Sequence, residues 1–298
     1  MEYQYEYSDR IALPWVIKHL GQFLYPDLSK KQHRIKKNMC GVVASQDKKP
    51  VGLILATFGS TPEEARVHSF RVDPLHQNRG VGKQLLTTLQ ENLREAGCKV
   101  VDGSFRQHWK AAPAMRKILD HNGWSSPEEE LIIVKGEAKN VLKLFMDDRL
   151  ELPEGFHFKP FTGLSHSDTA YIRKRKAEED WYPDVLDPFT FGETINPITS
   201  LALMHGETVV GWVISHQIAK GLNEFTSLFI DSEVRSYKLA HLLMRETIHR
   251  QHDHGIPNFL ITAQRSNSLM SRFLIRHADE TGVFFTKTYR SYKQLAAD

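Results

Sequence analysis

Val72-Asp73-Pro74-Leu75-His76-Gln77-Asn78-Arg79-Gly80-Val81-Gly82-Lys83-Gln84-Leu85-Leu86 is the stretch from which the rest of the chain can be read. A β-prone run from Arg66 to Val72 leads into it. Beyond it Val81, Leu85, Leu86, Leu89 and Leu93 follow helical spacing until Gly97 is placed to end the helix. The order is strand, turn, helix. Glycines at 80 and 82 let the backbone turn tightly with several N–H groups facing one point, and the following helix adds the positive end of its dipole. Such a turn suits a pyrophosphate. Arg79 and Lys83 add charge at its mouth, although mobile side chains contribute less there than fixed backbone donors.

Outward from this turn, residues 40–44 and 51–58 read as a hairpin around Gln46-Asp47-Lys48-Lys49-Pro50, with a helix or two before it up to about Lys37. Downstream, residues 98–101 read as a buried strand. Residues 112–120 read as a helix stopped by Asn122-Gly123, and residues 131–134 as an apolar strand. The pattern then repeats. Tyr25-Pro26-Asp27 recurs as Tyr182-Pro183-Asp184, Val51-Gly52-Leu53-Ile54 as Val210-Gly211-Trp212-Val213, and Asp120-His121-Asn122-Gly123 as Asp279-Glu280-Thr281-Gly282. The order is the same and the offsets are 157, 159 and 159 residues. Strands at residues 201–204, 209–215, 225–230 and 259–262 and a helix from about Arg235 complete the second copy. The reading is two copies of one fold, residues 1–137 and 156–298, joined by a linker at 138–155 that carries Pro153 and Gly155 and a short helix around residues 141–145.

Gln77-x-x-Gly80-x-Gly82, after a strand ending in Val72-x-Pro74, resembles the acyl-coenzyme A signature of the GNAT (GCN5-related N-acetyltransferase) superfamily. The helix followed by Asn122-Gly123-Trp124 resembles its next segment, which usually ends in Gly-Phe. The resemblance implies an α/β (α+β) chain of two tandem GNAT folds, each a mixed, mostly antiparallel twisted sheet flanked by helices. In layout it is similar to mycothiol synthase and to the antibiotic self-resistance acetyltransferases of the zwittermicin and paenilamicin type. It implies direct acyl transfer from acetyl-CoA to an amine. Phe70, Arg71 and Val72 would hold the pantetheine arm, with Gln77, Asn78, Arg79, Gly80, Val81, Gly82 and Lys83 at the pyrophosphate. The second copy departs here, reading Arg235-Ser236-Tyr237-Lys238-Leu239-Ala240 with Lys238 in place of Gly80 and Ala240 in place of Gly82. A Cβ and a long side chain at 238 would stand where a phosphate approaches backbone N–H groups. Coenzyme binding is therefore expected in the first copy, with substrate-binding surface and support from the second.

The implied chemistry needs a base for an ammonium of pKa about 10 and donors for an oxyanion. Many members of the family carry a glutamate six residues before the position of Val72, where this chain has Arg66. His68 projects to the same face by the period of a strand and is the nearest proton acceptor, unless it is a structural histidine resting on a backbone carbonyl. Glu224 stands in the second copy where that glutamate would be. The tyrosine that many members place four residues before the Gly of Gly-Phe is Leu119 in one copy and Ala278 in the other, so no general acid is assigned, and the thiol can leave as the thiolate and take a proton from water.

For a cationic acceptor, Glu63 and the run containing Glu179, Asp180, Trp181, Tyr182 and Asp184 offer carboxylates beside aromatic faces; the plainer reading is a solvated helix end and a packed Trp-Tyr pair. His249-x-x-His252-x-His254 falls where a helix frays into Gly255, and no metal is expected.

A length of 298 residues suits two domains, and 41% hydrophobic with 25% charged residues excludes a disordered or coiled-coil chain. No apolar run approaches the roughly 20 residues that cross a bilayer. The acidic, aromatic start lacks the basic and apolar parts of a leader, so a cytoplasmic protein is expected. Cys40 and Cys98 form no disulfide framework or zinc pair. The net charge of +3 is spread without a basic stripe, and Lys30-Lys31-Gln32-His33-Arg34-Ile35-Lys36-Lys37 reads as a solvated helix face, so neither nucleic acid nor membrane is an expected partner. Taken with the resemblance, these features suggest an N-acetyltransferase acting on a primary amine of a small cationic molecule, an amino antibiotic in self-resistance. The alternatives are biosynthetic transfer to an amino-acid derivative, longer acyl donors such as those of glycine N-acyltransferases, and a coenzyme-binding sensor without turnover.

Overall fold

Tyr3, Tyr5 and Tyr7 alternate with polar residues, and this period of two makes a strand, Gln4–Ile11 (β1), where helices alone were expected before the hairpin. The computed structural model describes residues 2–25, 28, 39–142, 150–190, 194–235, 237–278 and 282–295. The cationic run at 30–37, residues 26 and 27 of the first Tyr-Pro-Asp, residues 143–145 of the expected linker helix, Ser236 and residues 279–281 lie outside them.

After β1, helix Leu13–Leu20 (α1) starts with a proline in its first turn and lays Leu13, Val16 and Leu20 against Met39, Leu53 and Leu55. Met39–Gln46 (β2), Lys49–Phe58 (β3) and Glu64–Val72 (β4) form an antiparallel meander. Helix Val81–Glu95 (α2) buries Val81, Leu85, Leu86, Leu89 and Leu93 on the sheet face opposite α1. The strand expected at 98–101 runs instead over Val100–Arg106 (β5), parallel to β4, because Gly97 and Cys98 are spent on the turn out of α2. Helix Ala112–His121 (α3) and Glu128–Glu137 (β6) follow.

A short helix, Ala138–Leu142 (α4), stands in the expected linker, a few residues before the position expected for it, and the second repeat opens with a strand the sequence reading missed, Phe156–Pro160 (β7). His166–Glu179 (α5) begins with a reciprocal capping box between Ser165 and Asp168. Leu201–His205 (β8), Thr208–Ala219 (β9) and Leu222–Ile230 (β10) form the matching meander. Tyr237–Asp253 (α6), Asn258–Gln264 (β11), Ser268–Ala278 (α7) and Phe284–Gln294 (β12) complete the chain.

Two compact units result, residues 1–130 with 287–298 and residues 131–286. In the first unit the strand order is β1-β2-β3-β4-β5-β12, and in the second β6-β11-β10-β9-β8-β7. Within each, only β4/β5 and β10/β11 are parallel. The last strand of each repeat thus completes the other unit. β12 runs antiparallel to β5 from Thr288–Arg106 to Gln294–Val100, and β6 runs antiparallel to β11 from Leu131–Gln264 to Glu137–Asn258.

Candidate active site

In the first unit β4 pairs with β5 only from Glu64 to Val67, opposite Val100 to Gly103, whereas it stays beside β3 as far as Val72. The two parallel strands part, and one edge of β4 is left open from His68 to Val72. His68 is the extra residue of a β-bulge, since Leu55 opposes Ser69 while Ala56 opposes Val67. The N–H of Asp73 donates to the Val51 carbonyl at 2.8 Å, which fixes the alternation: the backbone groups of Phe70 and Val72 turn to the open side. Their carbonyls are already engaged. That of Val72 accepts from Gln77 Nε2 at 3.0 Å, and that of Phe70 accepts from the Tyr25 hydroxyl at 2.9 Å. The N–H groups of Phe70 and Val72 are thus the donors this edge offers to a ligand.

The turn beyond the edge is built by local bonds. Asp73 Oδ1 accepts from the Leu75 N–H at 2.9 Å and caps one 3-10 turn, Pro74–His76. Asn78 and Gly80 then take left-handed φ of 59° and 83°, and α2 begins at Val81 without a side-chain cap. Its first N–H groups lack a side-chain capping partner, an arrangement of dipole and donors that suits an anion. The two glycines serve different needs. A Cβ at Gly80 would meet nothing, so its φ is the constraint; a Cβ at Gly82 would lie 3.2 Å from Ile118 Cδ1 and 3.6 Å from Phe70 Cζ, so its constraint is close packing of α2. Gln77, Asn78, Arg79 and Lys83 are exposed around the mouth, as is Arg71 on the strand.

His68 Nε2 is hydrogen-bonded to the Thr57 hydroxyl at 2.7 Å. Arg66, where many GNAT members carry glutamate, is bonded to Ser104 Oγ at 2.9 Å and paired with Asp102 at 3.5 Å and Glu130 at 3.4 Å, so its charge is matched by carboxylates of its own unit. Leu119 is buried in the core and offers no proton.

Residues 9–109 match the acetyltransferase (GNAT) family. The first unit is a GNAT acetyltransferase domain. Over its whole length the chain has the fold of tandem GNAT proteins. It resembles a GCN5-related N-acetyltransferase from Sphaerobacter thermophilus, with a TM-score of 0.61 at 15% identity over 98% of this chain and 96% of that one. A tandem GNAT protein from the clavulanic acid biosynthesis pathway aligns with a TM-score of 0.61 at 12% identity, over 99% and 100% of the two chains. A glucosamine N-acetyltransferase region of a fungal multi-domain GH3 β-N-acetylglucosaminidase gives 0.64 at 12% identity, over 98% of this chain and 38% of that one. No curated protein sequence matches the chain.

The second unit carries the GNAT frame with its key positions altered. β10 parts from β11 after Phe225, and Thr226 is the extra residue of the equivalent bulge. Thr226 Oγ1 is bonded to His216 Nε2 at 3.0 Å, so the histidine and threonine of the first domain have changed places. His216 Nδ1 meets Thr194 Oγ1 at 3.0 Å. Glu224, opposite His216 in register, is half-buried and has no side-chain hydrogen bond among the described residues. Asp231 N–H donates to the Val210 carbonyl as Asp73 does to Val51, and Arg235 donates to the Ile230 carbonyl as Gln77 does to Val72. Yet α6 begins at Tyr237, so Lys238, the counterpart of Gly80, is already helical. Asp231, 2% exposed, is bonded to Arg175 at 2.6 Å, and the Arg175 guanidinium lies 4.4 Å from the Trp181 ring centroid. Burial alone would raise the Asp231 carboxyl, but the Glu233 N–H and Arg175 hold it below the usual carboxylate range.

One sequence match is corrected. Ser69 Oγ donates to the Phe23 carbonyl at 2.8 Å and Ser227 Oγ to the Leu186 carbonyl at 2.7 Å, so Leu186 stands where Phe23 does, and Tyr182 is not the counterpart of Tyr25. Tyr182 is buried against Trp181, Trp212 and Phe229. The proposed substrate carboxylates are engaged by neighbours. Glu179 is bonded to Arg175 at 2.6 Å, and Asp180 and Asp184 to Lys176 at 2.5 and 2.8 Å, which drives that ammonium upward. Glu63 belongs to the other unit, at the paired end of β4, bonded to Lys99 at 2.6 Å. His254 Nδ1 meets the Arg250 carbonyl at 2.9 Å, and no metal-binding group of three is gathered among the described residues. Among those residues no helix is long and apolar enough to cross a membrane.

Proposed function

We propose that this chain is a cytoplasmic N-acetyltransferase whose first domain binds acetyl-CoA along the open edge of β4 and passes the acetyl group to a primary amine of a small molecule. One observation carries the reading: the N–H groups of Phe70 and Val72 lie on the open edge that leads into the uncapped N-terminus of α2. The turn from Gln77 to Lys83 would hold the pyrophosphate, and the strand donors the pantetheine and thioester. The acceptor nitrogen attacks the thioester carbonyl carbon, the Phe70 N–H takes the developing oxyanion, and the C–S bond breaks as the C–N bond is kept. His68, beside these donors and steadied by Thr57, accepts the proton of the acceptor ammonium. Forming the amide frees the nitrogen's second proton, which passes through water to the departing thiolate.

The acceptor of first choice is a cationic amino antibiotic, on the resemblance of the tandem motifs to self-resistance enzymes. The internal pairing of Glu179, Asp180 and Asp184 favours a second reading, biosynthetic transfer to an amino-acid derivative. Glu224 is the candidate proton acceptor of the second domain, and Glu224→Ala tests whether turnover needs it. Release of free thiol from acetyl-CoA over a panel of amine antibiotics, polyamines and amino acids tests the reading, with Gly82→Trp as the blocked site. Release with one amine class that Gly82→Trp abolishes is the expected result; coenzyme binding without release from any amine would leave a sensor.

A further inference from the structure

Tyr25 and Trp109 meet with ring centroids 4.5 Å apart and planes inclined at 46°. They come from opposite sides of the first domain's sheet. Tyr25 follows Phe23 and Leu24, which pack with α1 on one face, whereas Trp109 lies just beyond β5 and packs with the core of α2 and α3 on the other. Their contact passes through the gap where β4 and β5 have parted. The tyrosine is held there by three bonds: Ser69 Oγ donates to the Phe23 carbonyl at 2.8 Å, the Tyr25 N–H donates to Ser69 Oγ at 3.3 Å, and the Tyr25 hydroxyl donates to the Phe70 carbonyl at 2.9 Å. Burial pushes the phenol up to about 12, so the ring stays neutral at neutral pH.

The open edge has a limited length. From Val72 to Phe70 both N–H groups face an entering chain. Past Phe70 only Ser69 and His68, roughly 7 Å of strand, remain before the strands close at Val67 and Gly103. The Tyr25 N–H on Ser69 Oγ and the Tyr25 hydroxyl on the Phe70 carbonyl set the ring pair at the level of Ser69 and Phe70. We propose that Tyr25 and Trp109 form the blind end of the acyl pocket and restrict the donor to acetyl and similarly short acyl groups. This rests on the reading of the first domain as an acyl-CoA-dependent transferase. An acyl carbonyl on the Phe70 N–H leaves room for one or two further carbons, and a longer chain must displace two packed rings.

Calorimetric titration of the full chain with acetyl-, butyryl- and octanoyl-CoA tests the wall without knowledge of the acceptor. The wild type binds acetyl-CoA at least tenfold more tightly than octanoyl-CoA, and Trp109→Ala brings the two within threefold. Trp109→Phe and Tyr25→Phe keep a ring in place and retain the wild-type ratio. Trp109→Leu, which shortens the wall with little loss of apolar contact, admits butyryl-CoA and secures the test against an alanine variant that does not fold. Equal affinity of the wild type for all three donors, or an unchanged ratio in both Trp109→Ala and Trp109→Leu, overturns the wall and leaves the transferase reading standing. No binding of any thioester to the wild type overturns both.

Discussion

Residues 72–86 and 230–244 occupy the same place in two copies of one fold, and they differ where a ligand would touch. Both follow a strand that parts from its parallel neighbour, with a bulge just past the point of separation. In both, an aspartate N–H donates to the neighbouring strand and a long side chain donates to the last strand carbonyl. These bonds are what the fold needs, and a glutamine or an arginine serves equally. The left-handed Gly80 has no such structural duty: with nothing around its Cβ position, it serves only the direction of the backbone. Where that duty is gone, in the second copy, the helix simply starts earlier and the strand-end aspartate is tied into an ion pair. Shared bonds mark the fold; unshared backbone geometry marks the ligand.

The largest effect expected from breaking this comparison is on stability. Asp231→Ala removes one of the two carboxylates on Arg175, leaving Glu179, and should cost about 3 kcal/mol in thermal or denaturant unfolding. Asp73→Ala removes a cap on an exposed turn and should cost about 1 kcal/mol. Because the folded Asp231 carboxyl lies below its unfolded value of 3.8, its contribution is present above that pH and is lost as pH falls through the lower, folded value. Acid unfolding of Asp231→Asn should lack that part of the slope. Equal losses for the two alanine variants would remove the asymmetry between the two turns.

Next in size is the exchanged histidine–threonine pair. His68→Ala should lower kcat about 100-fold with KM for acetyl-CoA unchanged, whereas His216→Ala should leave kcat within twofold. A matched loss in both would mean that the second copy takes part in the proton transfer. The smallest effect is expected from Lys238→Gly, which weakens the first turn of α6 by at most about 1 kcal/mol and, without the rest of the turn, creates no coenzyme site. Calorimetric detection of a second coenzyme in that variant would show that one glycine is all the second turn lacks.

Much of this was legible in the chain because it is local. The strand-turn-helix order and the two glycines lie within fifteen residues, and two of the three repeat matches fall on matching strands and turns, with Gly123 and Gly282 both left-handed. β1 was equally visible in the alternation of Tyr3, Tyr5 and Tyr7, though the stretch reads first as a poor leader peptide. Other features depend on register. The bulge that sets His68 against Thr57, and its inverse at Thr226 and His216, appears only once strands are aligned. The pairing of β12 with β5 joins residues nearly two hundred apart, and nothing in the apolar pattern of either strand names its partner. Tyr25 shows the opposite failure. A three-residue match made it the twin of Tyr182, and side-chain bonds place it elsewhere, on the Phe70 carbonyl.

The central claim is that coenzyme binds at the first turn alone, and counting sites by calorimetric titration of acetyl-CoA into the full chain tests it most directly. The account predicts one site per chain in the wild type. In Gly80→Ala, whose added methyl meets no neighbour and whose only strain is the left-handed φ, affinity should fall at least tenfold while the melting temperature drops by only a few degrees. Two sites per chain, or one site whose affinity Gly80→Ala leaves intact, would contradict it.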